Sequence, residues 1–224
     1  MAREAAMSKL GSSTNPFAPR ELDRNALTHA GIGAGIALLA FFLPLLLIVF
    51  HGMATLVHEM GHALFAWMLG KPAVPAFDLQ YGGGVTAHAL KANSTLLLFI
   101  YAVLLWLMFS LRRNVVALSV LVALALLHAL VAFTWLNKLV VVLMGEGFEL
   151  LIGALFLYRG LSGQAVINPL ERPLYSAIGF FLVLENVVFA WSLIMSRGAR
   201  SLYQMGKGSI DNDFVVAGTS PMAM

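Results

Sequence analysis

The sequence predicts an all-α integral membrane protein of about six transmembrane helices, with a small membrane-associated β-hairpin after the second. Three observations carry this expectation. Hydrophobic residues make up 60% of the 224-residue chain and charged residues 11%, against about 45–50% and about 25% in soluble domains. A soluble fold of this size has too much surface to cover with so few charges, and the mean hydropathy is +0.85. Uncharged stretches near the roughly 20 residues that cross the hydrocarbon core as a helix recur along the chain, divided by short polar separators.

The elements follow in order. Residues 1–29 form a polar tail of mixed charge that lacks the basic, apolar, small-residue order of a cleavable signal peptide. Residues 30–50 make a first span without charge, with Pro44 as a kink. Residues 51–69 make a second, interrupted by His51, His58, Glu59 and His62. Further spans fall at 94–111, 115–136, 139–158 and 174–196, separated by Arg112-Arg113-Asn114, by Asn137-Lys138 and by a Gly- and Pro-bearing loop at 159–173. Residues 30–196 read as one transmembrane domain, and 197–224 as a polar C-terminal tail.

Charge sets the topology. Six crossings with the N-terminus inside put ten Lys and Arg on the inner side and four (Arg112, Arg113, Arg159 and Arg172) outside. Five crossings split the same residues 8 to 6, so the positive-inside rule favours six. Size and short loops suit a bacterial inner membrane. Four tryptophans, Trp67, Trp106, Trp135 and Trp191, fall mostly toward span ends, as interfacial aromatics do. A net charge of +3 without a basic run excludes nucleic acid as a partner. The absence of cysteine excludes disulfides, thiolate zinc sites and thiol nucleophiles.

The segment 76–90 differs from its surroundings. Phe77, Leu79 and Tyr81 alternate with polar residues, and Gly82-Gly83-Gly84 permit the positive φ of a tight turn. A small hairpin at the membrane and an irregular Gly-rich loop both fit this pattern.

Ionisable groups in lipid are costly and mark function. Four of the seven glutamates, Glu59, Glu146, Glu149 and Glu185, lie near the centres of predicted spans, as do His58, His62 and, less centrally, His128. A polar cluster inside a helical bundle accounts for that common depth. The sharpest signal is His58-Glu59-Met60-Gly61-His62, an HExxH, of which composition alone predicts roughly 0.005 occurrences. On a helix, positions i and i+4 share a face, so both imidazoles reach one ion. Glu59, turned by about 100°, stands beside it without replacing a bound water. Zinc lowers the pKa of such a water toward ~7 and a neighbouring carboxylate accepts its proton, chemistry suited to attack on an amide carbonyl. The bland alternative is two histidines that hydrogen-bond between packed helices.

His58 to Gly70, HEMGHALFAWMLG, followed by Phe77-Asp78-Leu79 and Gly82-Gly83-Gly84-Val85, resembles the site-2 protease family of intramembrane zinc metalloproteases. That family carries an HExGHxxxA-type helix, then a short β element often with Gly-Gly, then two spans later an Asn followed by Asp-Gly whose aspartate is the third zinc ligand. Here Asn137 precedes Glu146-Gly147 by nine residues. The resemblance covers roughly residues 50–160. It implies zinc on His58 and His62, with Glu146 as third ligand, and Asn137 and Gly82, Gly83 and Gly84 as substrate-positioning elements. The family's prolines before the Asp-Gly are missing, and its aspartate is a glutamate. Glutamate completes a His-His-Glu set in many HExxH enzymes, yet the third ligand stays open. Glu149, one turn on, either ligates or orients a histidine, and Glu185 and His128 are lesser candidates. Glu185-Asn186 also suits a hydrogen bond between helices. His51 lies two turns before His58, and His88 reads as a loop histidine.

The expected activity is hydrolysis of peptide bonds in or near transmembrane segments of other proteins, with Zn2+ as cofactor and Glu59 as general base. The alternative keeps the same scaffold without proteolysis, as a structural or chaperone-like subunit of a membrane complex. A transporter would use the same buried carboxylates, but the repeats of many carriers are missing.

Overall fold

In the computed structural model, residues 24–78, 83–164 and 166–204 are described. They are mostly helical. Helices α1 (Arg24–Ala40) and α2 (Pro44–Met68) precede strands β1 (Ala73–Phe77) and β2 (Gly84–His88). Then come α3 (Ser94–Ser110), α4 (Val115–Ala132), α5 (Leu136–Ser162), α6 (Glu171–Met195) and the short α7 (Arg197–Gln204). Among them α2, α4, α5 and α6 are long and apolar enough to cross a membrane. Against the six spans expected, α1 and α3 have 17 residues each, somewhat short of the usual 20.

The first two helices divide where proline dictates. Pro44 does not kink a span over 30–50; it sits in the first turn of α2, where its missing N–H would have no partner anyway. Leu43 before it is extended (φ −103°, ψ 109°), as a residue preceding proline tends to be. The break therefore falls at residues 41–43, and His51 lies inside α2 rather than at a span junction. At the other end α1 starts at Arg24, so its first turns use residues expected in the polar tail. Thr28 Oγ1 bonds the Arg24 carbonyl there at 2.8 Å. Asn93 and Asn114 cap α3 and α4 by accepting from Leu96 and Ala117 amides.

Of the two readings of 76–90, the hairpin is the one found. Strands β1 and β2 pair antiparallel from Ala73↔His88 to Phe77↔Gly84, and Asp78 N donates to Gly83 O at 3.0 Å beyond them. Leu79, Tyr81 and Gly82 lie outside the described residues; Gly83 takes the left-handed φ of +97° that the turn needs. Trp67 Nε1 donates to Ala73 O at 2.7 Å, fastening the hairpin to the end of α2.

Helix α5 lies between α2 and α6, and α1 packs on α6. Contact between α5 and α6 is close because Gly153 and Gly179 face each other, and a Cβ on Gly179 would come within 2.7 Å of the Gly153 carbonyl. Two apolar clusters form. One joins Ala37, Phe50, Ala54, Phe181 and Leu182; the other joins Ala63, Ala66, Leu69, Leu97 and Val141. Phe181 is fully buried and stacks on Phe41 with ring centroids 5.0 Å apart. On α2 the two clusters flank residues 58–62.

Lys71, just beyond α2, is buried, and its ammonium donates to Asn137 Oδ1 at 2.9 Å. Burial, reinforced by the charge of Lys138, lowers its pKa from 10.5. The folded pKa thus lies below the unfolded one, so the charge penalty is complete below the folded pKa and is relieved as pH rises from there toward 10.5. Thermal unfolding of wild type and Lys71→Met over that range checks this: the difference in Tm should move in favour of wild type as pH rises.

Candidate metal centre

The site is built where α2 meets the small-residue face of α5. Residues Val141, Gly145, Glu149 and Gly153 recur every fourth position on that buried face. Gly61, inside the HExxH, lets the two backbones touch: a Cβ there would run into the Met144 carbonyl and the Phe148 Cβ. Gly145 has the reciprocal role. A Cβ on it would lie 2.5 Å from His58 Cε1 and Nε2 and 2.6 Å from His62 Nε2. Both imidazoles therefore occupy the space that a side chain at 145 would fill.

Each ring is held by its Nδ1. His62 Nδ1 lies 2.7 Å from the Val141 carbonyl oxygen. A carbonyl only accepts, so this nitrogen carries the proton. His58 Nδ1 lies 2.9 Å from Glu149 Oε1, and Glu149 Oε2 accepts from Asn186 Nδ2 of α6 at 2.5 Å. With Glu149 ionised, both Nδ1 atoms are donors and both Nε2 atoms carry lone pairs. Yet the two Nε2 atoms are 3.0 Å apart. Lone pairs at that separation need a positive charge between them, a proton or a metal ion. Two nitrogens about 2.0–2.1 Å from a tetrahedral zinc lie about 3.3 Å apart, close to this spacing. Histidine ligands of zinc characteristically donate their other N–H to a carboxylate or a backbone carbonyl, and His58 and His62 have one of each.

Acid groups gather on the other side of His58. Glu146 Oε2 is 3.8 Å from its Nδ1, and ligand atoms of His58, Glu146 and Glu149 all lie within 4.8 Å of one another. Glu149, pinned by His58 and Asn186, is placed to orient the imidazole. Glu146 is the neighbouring carboxylate. His58, Glu146 and Glu149 form a group that could hold a cation; His62 meets His58 at the opposite ring nitrogen, Nε2.

Glu59 points elsewhere. It is buried between α2 and β2, its Oε2 accepting from Thr86 Oγ1 at 2.6 Å, with Gly84 packed against its carboxylate.

The remaining candidates are not brought to the histidine pair. His128 Nε2 donates to the Met68 carbonyl at 2.8 Å while its Nδ1 meets the Tyr101 hydroxyl at 3.0 Å, so both ring nitrogens join α4 to α2 and α3. Glu185 pairs with His51 across α6 and α2. Asn137 is held by Lys71 and donates weakly to the Ala132 carbonyl at 3.4 Å, which ties the α4–α5 corner to the end of α2. His88 is a strand residue whose Nδ1 lies 3.3 Å from Ala89 O. Sequence reasoning missed Gly145, Thr86 and the Val141 carbonyl. Gly145 had a signal, since it lies four residues before Glu149; a lone Thr and a backbone carbonyl had none.

No protein-family model, curated protein or solved structure matches this chain.

A zinc ion held by the two rings would depend on the room that Gly145 leaves them, so for Gly145→Val zinc per mole of purified protein is expected to be at least about tenfold below wild type. Gly147→Ala, whose Cβ would meet only the flexible end of Met144, should retain it. Elemental analysis of both variants decides.

Proposed function

We propose that the chain is an intramembrane zinc metalloprotease of the site-2 protease type, hydrolysing peptide bonds in or near transmembrane segments of other proteins. The observation that carries this reading is the pair of Nε2 atoms 3.0 Å apart, each ring oriented through its Nδ1, with the HExxH glutamate next in the chain. His58 and His62 would hold zinc through their Nε2 atoms, and Glu146, which lies beside His58 Nδ1, would have to turn toward that pair to complete the set. When bound, zinc supplies Lewis acidity and lowers the pKa of water.

The protein's own residues do the rest. Glu149 and Asn186 keep the His58 ring turned toward His62. Glu59 accepts a proton from the attacking water and later returns it to the leaving amine. Its burial between the apolar clusters limits competing water and strengthens electrostatic interactions. A substrate helix hides its amides in its own hydrogen bonds and has to unwind locally. The hairpin offers a sheet edge to which an extended segment can add as a strand. Six crossings with the N-terminus inside a bacterial inner membrane complete the reading, α1 and α3 serving as the two shorter spans.

One observation favours a non-proteolytic subunit built on the same scaffold. Asn137, the substrate-positioning residue the resemblance implies, is engaged by Lys71. Labelled casein, an unfolded chain with no helix to unwind, separates the two. Zinc-loaded wild type should cleave it, and Glu59→Gln should lower the rate at least about 100-fold at unchanged zinc content. Absence of cleavage by the zinc-loaded wild type would assign the protein to the non-proteolytic class.

A further inference from the structure

We infer that Thr86 is the positioning residue for Glu59, so that the hairpin belongs to the reaction machinery as well as to substrate capture; this rests on the reading of Glu59 as general base. Residues 84 and 86 lie two apart on β2 and share one face of it. That face is shaped to a glutamate. At Gly84 there is no side chain, and a Cβ would overlap Glu59 Cγ and Oε1. At Thr86 there is a donor. Its Oγ1 lies 2.6 Å from Glu59 Oε2 and 3.0 Å from the Glu59 carbonyl oxygen.

An ionised carboxylate and a carbonyl both only accept, so the hydroxyl must donate, and its single proton serves one of them at a time. The shorter, charge-assisted bond to the carboxylate is the stronger of the two. One carboxylate oxygen is thereby occupied, and the other lies beside Gly84. A free glutamate side chain samples many rotamers. Held at Gly84 and Thr86, Glu59 keeps one, facing the hairpin. Among the described hydrogen bonds, the constraint on the Glu59 carboxylate comes from the hairpin.

Thr86→Val removes the donor at nearly constant volume. On labelled casein we expect kcat to fall about 10-fold, the scale of one hydrogen bond to a charged group, with KM and zinc content unchanged. Thr86→Ser should restore kcat to within about twofold of wild type. An unchanged kcat in Thr86→Val, a loss that appears in KM or zinc content instead, or no rescue by serine would each overturn the inference. A second measurement does not depend on cleavage. The infrared carboxylate band of Glu59, identified by its disappearance in Glu59→Gln, should shift in Thr86→Val, or in Thr86→Ala should the valine variant fail to insert. A band that stays in place overturns the inference even in an active protease. A shifted band in a wild-type background that cleaves nothing supports the positioning of Glu59 and removes the protease reading alone.

Discussion

The structure depends on the bond between His58 and Glu149. In a bundle of apolar helices, an unsatisfied polar group costs several kcal/mol, because lipid offers it no partner. His58, Glu149 and Asn186 come from α2, α5 and α6, and each satisfies the next. His62 closes the chain on the Val141 carbonyl. Helices that would otherwise slide against one another on greasy surfaces are thus pinned at one depth and one rotation. The same bond orients the imidazole, so a single contact both links the helices and fixes the ring.

That contact requires the helices to approach closely, and the small residues allow it. Gly61 and Gly145 bring α2 onto α5 at the level of the histidines, while Gly153 and Gly179 bring α5 onto α6 two turns further on. Removing side chains in this way sacrifices local packing, and the two apolar clusters on either side offset the loss. The polar turn of α2 therefore lies between two apolar clusters. A charge placed there feels a low dielectric, which strengthens every electrostatic interaction and penalises any unpaired one.

A second polar link, between His51 and Glu185, joins α2 to α6 two turns before His58 on the same helix. Because Glu185 and Asn186 are neighbours in sequence, one short stretch of α6 holds both polar links. Glu185 Oε2 is buried without a hydrogen-bond partner among the described residues. His51 is exposed, so this link lies at the bundle surface, whereas the His58–Glu149 bond is part-buried.

The division between what is legible in the chain and what is not follows from the range of the forces involved. At 76–90 local and compositional signals left a hairpin and an irregular loop both open, while they were sufficient for the apolar helices and for the sharing of one face by His58 and His62. Each of these depends on burial periodicity, turn chemistry or helical spacing within a few residues. The start of α2 was also written locally, in Pro44, but an unbroken apolar run hid it. Tertiary structure alone decided how the ionisable residues sort. Glu149 rather than Glu185 or His128 faces His58, Asn137 turns to Lys71, and Glu59 turns to Thr86. Those choices depend on which helix faces which, and at what rotation. Rotation in an apolar bundle is set by glycine contacts and polar pairs between segments far apart in sequence, and no periodicity along a single helix encodes it.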